Sequence, residues 1–97
     1  MSQLNVVATI VAKAGAEQRV EDALKALIAP TLTEAGCLQY DLHRDVDKPG
    51  VFVFYETWTN RELLAAHLQS AHLVTYQQVV DGLVEAWDMK LMTRIGV

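Results

Sequence analysis

An α+β sandwich of the ferredoxin-like kind, running β-α-β-β-α-α-β, is the fold that this chain of 97 residues predicts. Three observations carry the prediction. Two strand-length runs, Leu4 to Lys13 and Val51 to Trp58, are apolar on both alternating faces, which is the pattern of strands covered on both sides. Helical periodicity appears once between these runs and twice after the second. Breaks in the pattern fall at Gly15, Gly36, Pro49-Gly50, Asn60 and Ser70, where turn or capping chemistry is expected. Short connections and right-handed crossovers then place the first and third strands in the middle of a four-stranded sheet.

The first strand, LNVVATIVAK, is rich in β-branched residues, with Asn5 as its polar exception. Gly15 breaks it. From Ala16 a helical stripe forms through Val20, Leu24, Leu27, Ile28, Thr31 and Ala35, with Glu17, Glu21 and Asp22 early, where they complement the positive helix end. Pro30 should kink or divide that helix, and Gly36 suits a left-handed residue at its end. Cys37 to Val46 alternates as a half-exposed edge strand. Asp47-Lys48-Pro49-Gly50 suits a type II turn, which returns the chain antiparallel as Val51 to Trp58.

Thr59-Asn60-Arg61-Glu62 fits a capping box with Thr59 as its hydroxyl, opening a short helix to about Leu68. Ser70 caps a second helix with the stripe Leu73, Tyr76, Gln77, Val80, Leu83 and Val84. Trp87 to Ile95 alternates as the last strand. Helices in this architecture cover one sheet face, which leaves apolar residues of both central strands on the other. A second copy packed sheet to sheet about a two-fold axis would cover them, so a homodimer, a dimeric α+β barrel, is expected.

Composition narrows the function classes. The chain is read as one domain, residues 1–97, with no repeat, linker or low-complexity tract. A net charge of −4 excludes a general nucleic-acid binder. No apolar run approaches the roughly 18 residues of a membrane span, so no membrane partner is expected. The start of the chain lacks the basic and apolar regions of a secretory leader. Cys37 is the single cysteine and cannot form an internal disulfide, so cytoplasmic residence is the expectation. No phosphate loop, nucleophile elbow or metal-binding box is present. His67 and His72 stand five apart across a helix break, which is not the spacing of a helical metal pair. No metal and no cofactor are expected.

Three segments together resemble a known family: Gly36-Cys37-Leu38-Gln39-Tyr40-Asp41-Leu42-His43-Arg44, then Phe52-Val53-Phe54-Tyr55-Glu56-Thr57-Trp58, then Ala66-His67-Leu68 with Ser70-Ala71-His72. The chain resembles the antibiotic biosynthesis monooxygenase domain proteins, small dimeric α+β barrels. The resemblance implies oxygenation of phenolic or quinol compounds, without flavin, haem or metal in several members. A haem-degrading branch combines a first-strand asparagine, a tryptophan ending the third strand and a ligand histidine in the last helix. Asn5 and Trp58 match the first two, but Gln77 falls at or near the histidine position and is a poor axial ligand, so haem binding is not expected.

The candidate catalytic residues are Asn5, Trp58 and His72, with Phe52, Phe54, His67 and Tyr76 as substrate-binding residues. A quinol oxygenase needs a proton acceptor, for which His72 is preferred over His67 because the family places a histidine in the same setting. Asn5 and the indole N–H of Trp58 would hold the substrate anion, and Phe52, Phe54, Trp58 and Tyr76 would form dry walls. Each also has a structural reading: Trp58 as core, Asn5 as a strand-end residue, the histidines as helix-end hydrogen bonders. Glu56 in a buried strand needs a partner, which Arg44, Arg61 or Arg94 is expected to supply. The expected partners are thus a small aromatic substrate, molecular oxygen and a second copy of the chain. The alternative is a non-catalytic dimeric ligand-binding or stress-associated protein using the same pocket.

Overall fold

The computed structural model describes residues 3–96; Met1, Ser2 and Val97, including the start of the stretch read for a leader, lie outside the described residues. Its elements are β1 (Leu4–Ala12), α1 (Glu17–Lys25), α2 (Ile28–Leu32), β2 (Cys37–Arg44), β3 (Val51–Trp58), α3 (Arg61–Leu68), α4 (Ala71–Val79) and β4 (Val84–Met92). The sheet order is β2-β3-β1-β4 and every pairing is antiparallel. The two strands with two-sided apolar runs are the central ones, as their sequences require.

Register decides which side chains meet. Leu4 pairs with Trp58, Val6 with Glu56, Ala8 with Phe54 and Ile10 with Phe52. Strand pleating therefore puts Phe52, Phe54, Glu56 and Trp58 on one face with Val6 and Ile10. Helices cover this face: Val20, Leu24, Leu27, Leu73 and Val80 pack with Ile10, Tyr40, Phe52 and Phe54, while Val6, Trp58 and Leu64 form a second cluster. The opposite face carries Asn5, Val7, Thr9 and Val11 of β1 beside Val51, Val53, Tyr55 and Thr57 of β3. No described helix packs there. Val7, Val11, Val51 and Val53 are only half-buried, and Tyr55 and Met92 are exposed.

Pro30 divides the first helical segment, but the break shows at Ala26–Leu27 rather than at the proline. The physical reason is that proline removes the N–H that would bond the carbonyl of residue 26 and crowds that carbonyl with its ring. Pro30 itself lies in the first turn of α2, where a missing N–H costs nothing. Four of the sequence readings need correction. Gly36 does hold positive φ, at 84°, but α2 ends at Leu32, so Gly36 closes the turn into β2 instead of ending the helix. Gly50 is not at positive φ, so the Lys48–Val51 turn, closed by Val51 N–H to Lys48 O at 3.0 Å, is not type II. Asn60, not Thr59, caps α3: its Oδ1 accepts from Leu63 N at 2.9 Å, while Thr59 Oγ1 donates to Gly36 O. β4 begins at Val84, three residues before Trp87, because Gly82 at φ 77° turns the chain early and a bulge at Val11/Ala12 lets Val84 pair with Ala12. Ser70 caps α4 as expected, accepting from Leu73 N.

Candidate active site

A cavity of about 590 Å³ opens between the helix-covered face and α3–α4. That volume suits a small organic molecule. Its walls include Ala8, Ile10, Leu24, Leu27, Tyr40, Phe54, Leu73, Tyr76 and Val80, with Glu56 and His67 as the ionisable groups among them and Asp81 and Asp88 also contributing. No lysine or arginine lines it.

His67 sits on the inward face of α3 and is 2% exposed. Its ring lies 4.7 Å, centroid to centroid, from the indole of Trp58 and edge-on to Tyr40. Its Nδ1 is 2.7 Å from Glu34 Oε2. An ionised carboxylate only accepts, so Nδ1 carries the proton and Nε2 is left with a lone pair. Nε2 has no hydrogen-bond partner among the described residues. Burial holds the His67 imidazole below its usual range, and the Glu34 hydrogen bond opposes that only in part. The result is a neutral imidazole, oriented by a carboxylate, on the wall of an apolar cavity.

His72 reaches the same oxygen. Its Nε2 lies 2.7 Å from Glu34 Oε2, so one carboxylate oxygen accepts from both imidazoles. Glu34, His67 and His72 bring metal-ligand-type atoms within 4.8 Å of one another, the one such group of three among the described residues. In this arrangement the atoms bond each other, and His67 and His72 spend their N–H groups on Glu34.

Glu56 is 4% exposed and forms no ion pair among the described residues. Arg44, one of the three expected partners, pairs with Glu21 at 2.7 Å, and within the chain neither Arg61 nor Arg94 forms an ion pair with Glu56 among the described residues. Instead Trp58 Nε1–H donates to Glu56 Oε1 at 2.8 Å. Burial pushes the Glu56 carboxyl up to about 7; the Trp58 bond works against this and the Glu34 charge adds to it. Burial likewise raises the phenols of Tyr40 and Tyr76, the latter to about 12.

The candidate residues from the sequence are thus only partly assembled. His67, Phe54 and Tyr76 line the cavity. Trp58 is fully buried behind it and spends its indole N–H on Glu56, so that donor is not free for a ligand. Phe52 lies in the core farther along β3, away from the cavity wall. His72 touches Glu34 and does not line the cavity. Asn5 faces the other side of the sheet from Trp58, because its register partner is Thr57. There it accepts from Thr57 Oγ1 at 3.0 Å and borders a separate polar cleft with Gln39, Tyr55 and Arg94. Glu34 was not among the sequence candidates. It lies in an irregular turn 33 residues from His67, and no local pattern marks it.

This geometry defines a small antiparallel α+β domain with a largely apolar, partly open pocket and a carboxylate-oriented histidine. Residues 4–79 match the family model described as "Antibiotic biosynthesis monooxygenase", and the chain belongs to that family. Among its relatives is "Putative monooxygenase Rv0793" of Mycobacterium tuberculosis, 32% identical over 83 residues, which are 86% of this chain and 81% of that one. The structure of Rv0793 matches with a TM-score of 0.89 at 28% identity, covering 99% of this chain and 98% of that chain. PA3566 from Pseudomonas aeruginosa matches with a TM-score of 0.95 at 32% identity, over 99% and 97% of the two chains. No described helix is long and apolar enough to cross a membrane.

Proposed function

We propose that the protein is a cofactor-independent monooxygenase acting on a quinol or related phenol, with His67 as the proton acceptor. The observation that carries this reading is the Glu34–His67 pair, which presents an unprotonated Nε2 at the cavity wall. Triplet oxygen reacts poorly with closed-shell molecules, and a phenolate avoids the difficulty by giving up one electron. The substrate radical and superoxide then combine at a ring carbon, and the resulting hydroperoxide loses water, its O–O bond breaking as that carbon gives up its proton, which leaves one oxygen on the ring as a carbonyl. His67 Nε2 takes the hydroxyl proton, Glu34 stabilises the imidazolium that forms, and Phe54, Tyr40 and Tyr76 hold the ring in a dry site. This reading moves the base from His72 to His67 and gives His72 the task of holding Glu34. The family match and the name of the Rv0793 relative support the oxygenase class.

The half-buried valines on the uncovered sheet face support a homodimer packed through that face, and the single half-buried thiol of Cys37 fits a reducing cytoplasm. Sedimentation at low micromolar concentration should give twice the 10.8 kDa chain mass; a monomer there would remove the dimer. The activity is tested by oxygen uptake across a quinol panel against the autoxidation background. His67→Ala should lower the enzymatic rate by about 10²-fold or more, and Glu34→Gln should lower it while leaving substrate binding. If wild type matches the background throughout, the oxygenase reading fails and a binding module takes its place.

A further inference from the structure

Glu56 is a buried ionisable group on the cavity wall that proton abstraction from a phenol does not use. We propose that the pocket also catalyses an oxygen-independent reaction, keto–enol interconversion of a ring-fused cyclic ketone, with His67 as the base and Glu56 as the acid.

Position comes first. Glu56 and His67 both line the one cavity, and the Trp58 indole behind it touches both, 2.8 Å from Glu56 Oε1 through Nε1 and 4.7 Å from the His67 ring by centroid. The bond to Trp58 fixes the carboxyl and occupies Oε1. The hydrogen bonds recorded for these side chains use Oε1 of Glu56 and Nδ1 of His67, which leaves Oε2 and Nε2 without one among the described residues. Each side chain thus keeps one heteroatom for a ligand on the wall of a cavity sized for a small bicyclic molecule.

Protonation comes second. A bifunctional pair works when acid and base are both neutral at the same pH. In water a carboxyl ionises well below an imidazole, so such a pair would exist as two ions. Here burial moves both groups the opposite way, the carboxyl up and the imidazole down. The groups around Glu56 maintain this. Cys37 and Tyr40 come from β2, His67 from α3, Tyr76 from α4 and Glu34 from the turn before β2, and none of them carries a fixed positive charge. The Glu34 charge opposes ionisation of Glu56 further.

The step balances without an oxidant. Nε2 of His67 takes a proton from the carbon next to the carbonyl, and the C–H electron pair becomes the C=C bond. The carbonyl π pair moves to oxygen, which takes the proton from Glu56 Oε2. The enol leaves neutral, and proton return from imidazolium to carboxylate through solvent resets the pair. For a ring-fused ketone the enol hydroxyl resembles the phenol that the proposed oxygenase consumes. The inference rests on that reading only in taking His67 as the pocket base.

The test is deuterium uptake next to the carbonyl of β-tetralone, followed by proton NMR in anaerobic D2O buffer. Wild type should exchange faster than buffer, and His67→Ala and Glu56→Leu should not. The rate should fall as pH rises through about 7, where Glu56 loses its proton. Glu56→Gln keeps a hydrogen-bond acceptor for Trp58 but transfers no proton, so it should lower the rate by about 10-fold or more at pH 6 and abolish that fall. Carbon NMR of the Glu56 carboxyl gives a second readout: a chemical-shift midpoint near 7 supports the assignment, and one in the ordinary carboxylate range overturns it. Wild-type exchange at the buffer rate overturns the activity, and an unchanged profile in Glu56→Gln overturns the role of Glu56. Because oxygen is excluded, failure here leaves the oxygenase reading standing. Failure of oxygen uptake with exchange intact removes that reading alone.

Discussion

Replacing Glu56 by Gln should stabilise the protein at alkaline pH and do almost nothing in mild acid. The folded carboxyl is raised from 4.5 to about 7, mainly because ionising it would bury an unpaired charge. At about 1.4 kcal/mol per unit, that rise is worth roughly 3 kcal/mol. The sign follows from the direction of the shift. The unfolded chain releases this proton first, so the wild type keeps its full stability below about 4.5 and loses the increment as pH climbs through about 7. The Gln side chain is neutral throughout and its amide oxygen can accept from Trp58 Nε1, so the variant does not share the loss. Urea midpoints measured in parallel from pH 5 to pH 8.5 isolate the effect, since changes common to both proteins cancel in the difference. The gap should widen by about 2–3 kcal/mol over that range in favour of the variant. A constant gap across that range would refute the reasoning and mean that Glu56 is ionised throughout.

Two further perturbations test the frame of the site. Gly36→Ala should destabilise by about 2 kcal/mol or more, because φ is 84° and the added Cβ would meet Leu63 Cδ1 and lie 2.9 Å from Leu63 Cβ, which only a shift of α3 can relieve; an unchanged urea midpoint would show that α3 yields freely. Asn60→Ala should cost about 1 kcal/mol through loss of the α3 cap, whereas Thr59→Ala should cost less, and the reverse order would restore Thr59 as the capping residue.

What the sequence conveyed follows from how far each signal reaches. The central strands were legible because β-branched runs mark them residue by residue, and β3 appears with the bounds expected, Val51–Trp58. Pro30 was legible as a divider, though its effect falls on the carbonyl one turn earlier. Face assignment was not legible. Asn5 and Trp58 both read as site residues, and only the pairing of Leu4 with Trp58 shows that they point to opposite sides. Glu56 stands out as a charge in an apolar strand, but its hydrogen bond to Trp58 is not legible, nor that Arg44 is drawn to Glu21, 23 residues away. Glu34 was silent for the same reason: a carboxylate in a turn gains meaning only from what the chain brings to it much later.

The division of the first helical segment has a consequence for how the site comes into being. Since α2 stops at Leu32, Glu34 lies in an irregular turn, free of helical geometry, and reaches across to imidazoles 33 and 38 positions further along the chain. Its hydrogen bonds close loops of that length, whose entropic cost must be met before they form. Local helix formation in α3 can present His67 early, but not with its tautomer set. Assembly of the carboxylate-oriented imidazole thus coincides with completion of the tertiary structure. A nascent or partly unfolded chain carries the histidine while lacking the carboxylate contact that orients its ring.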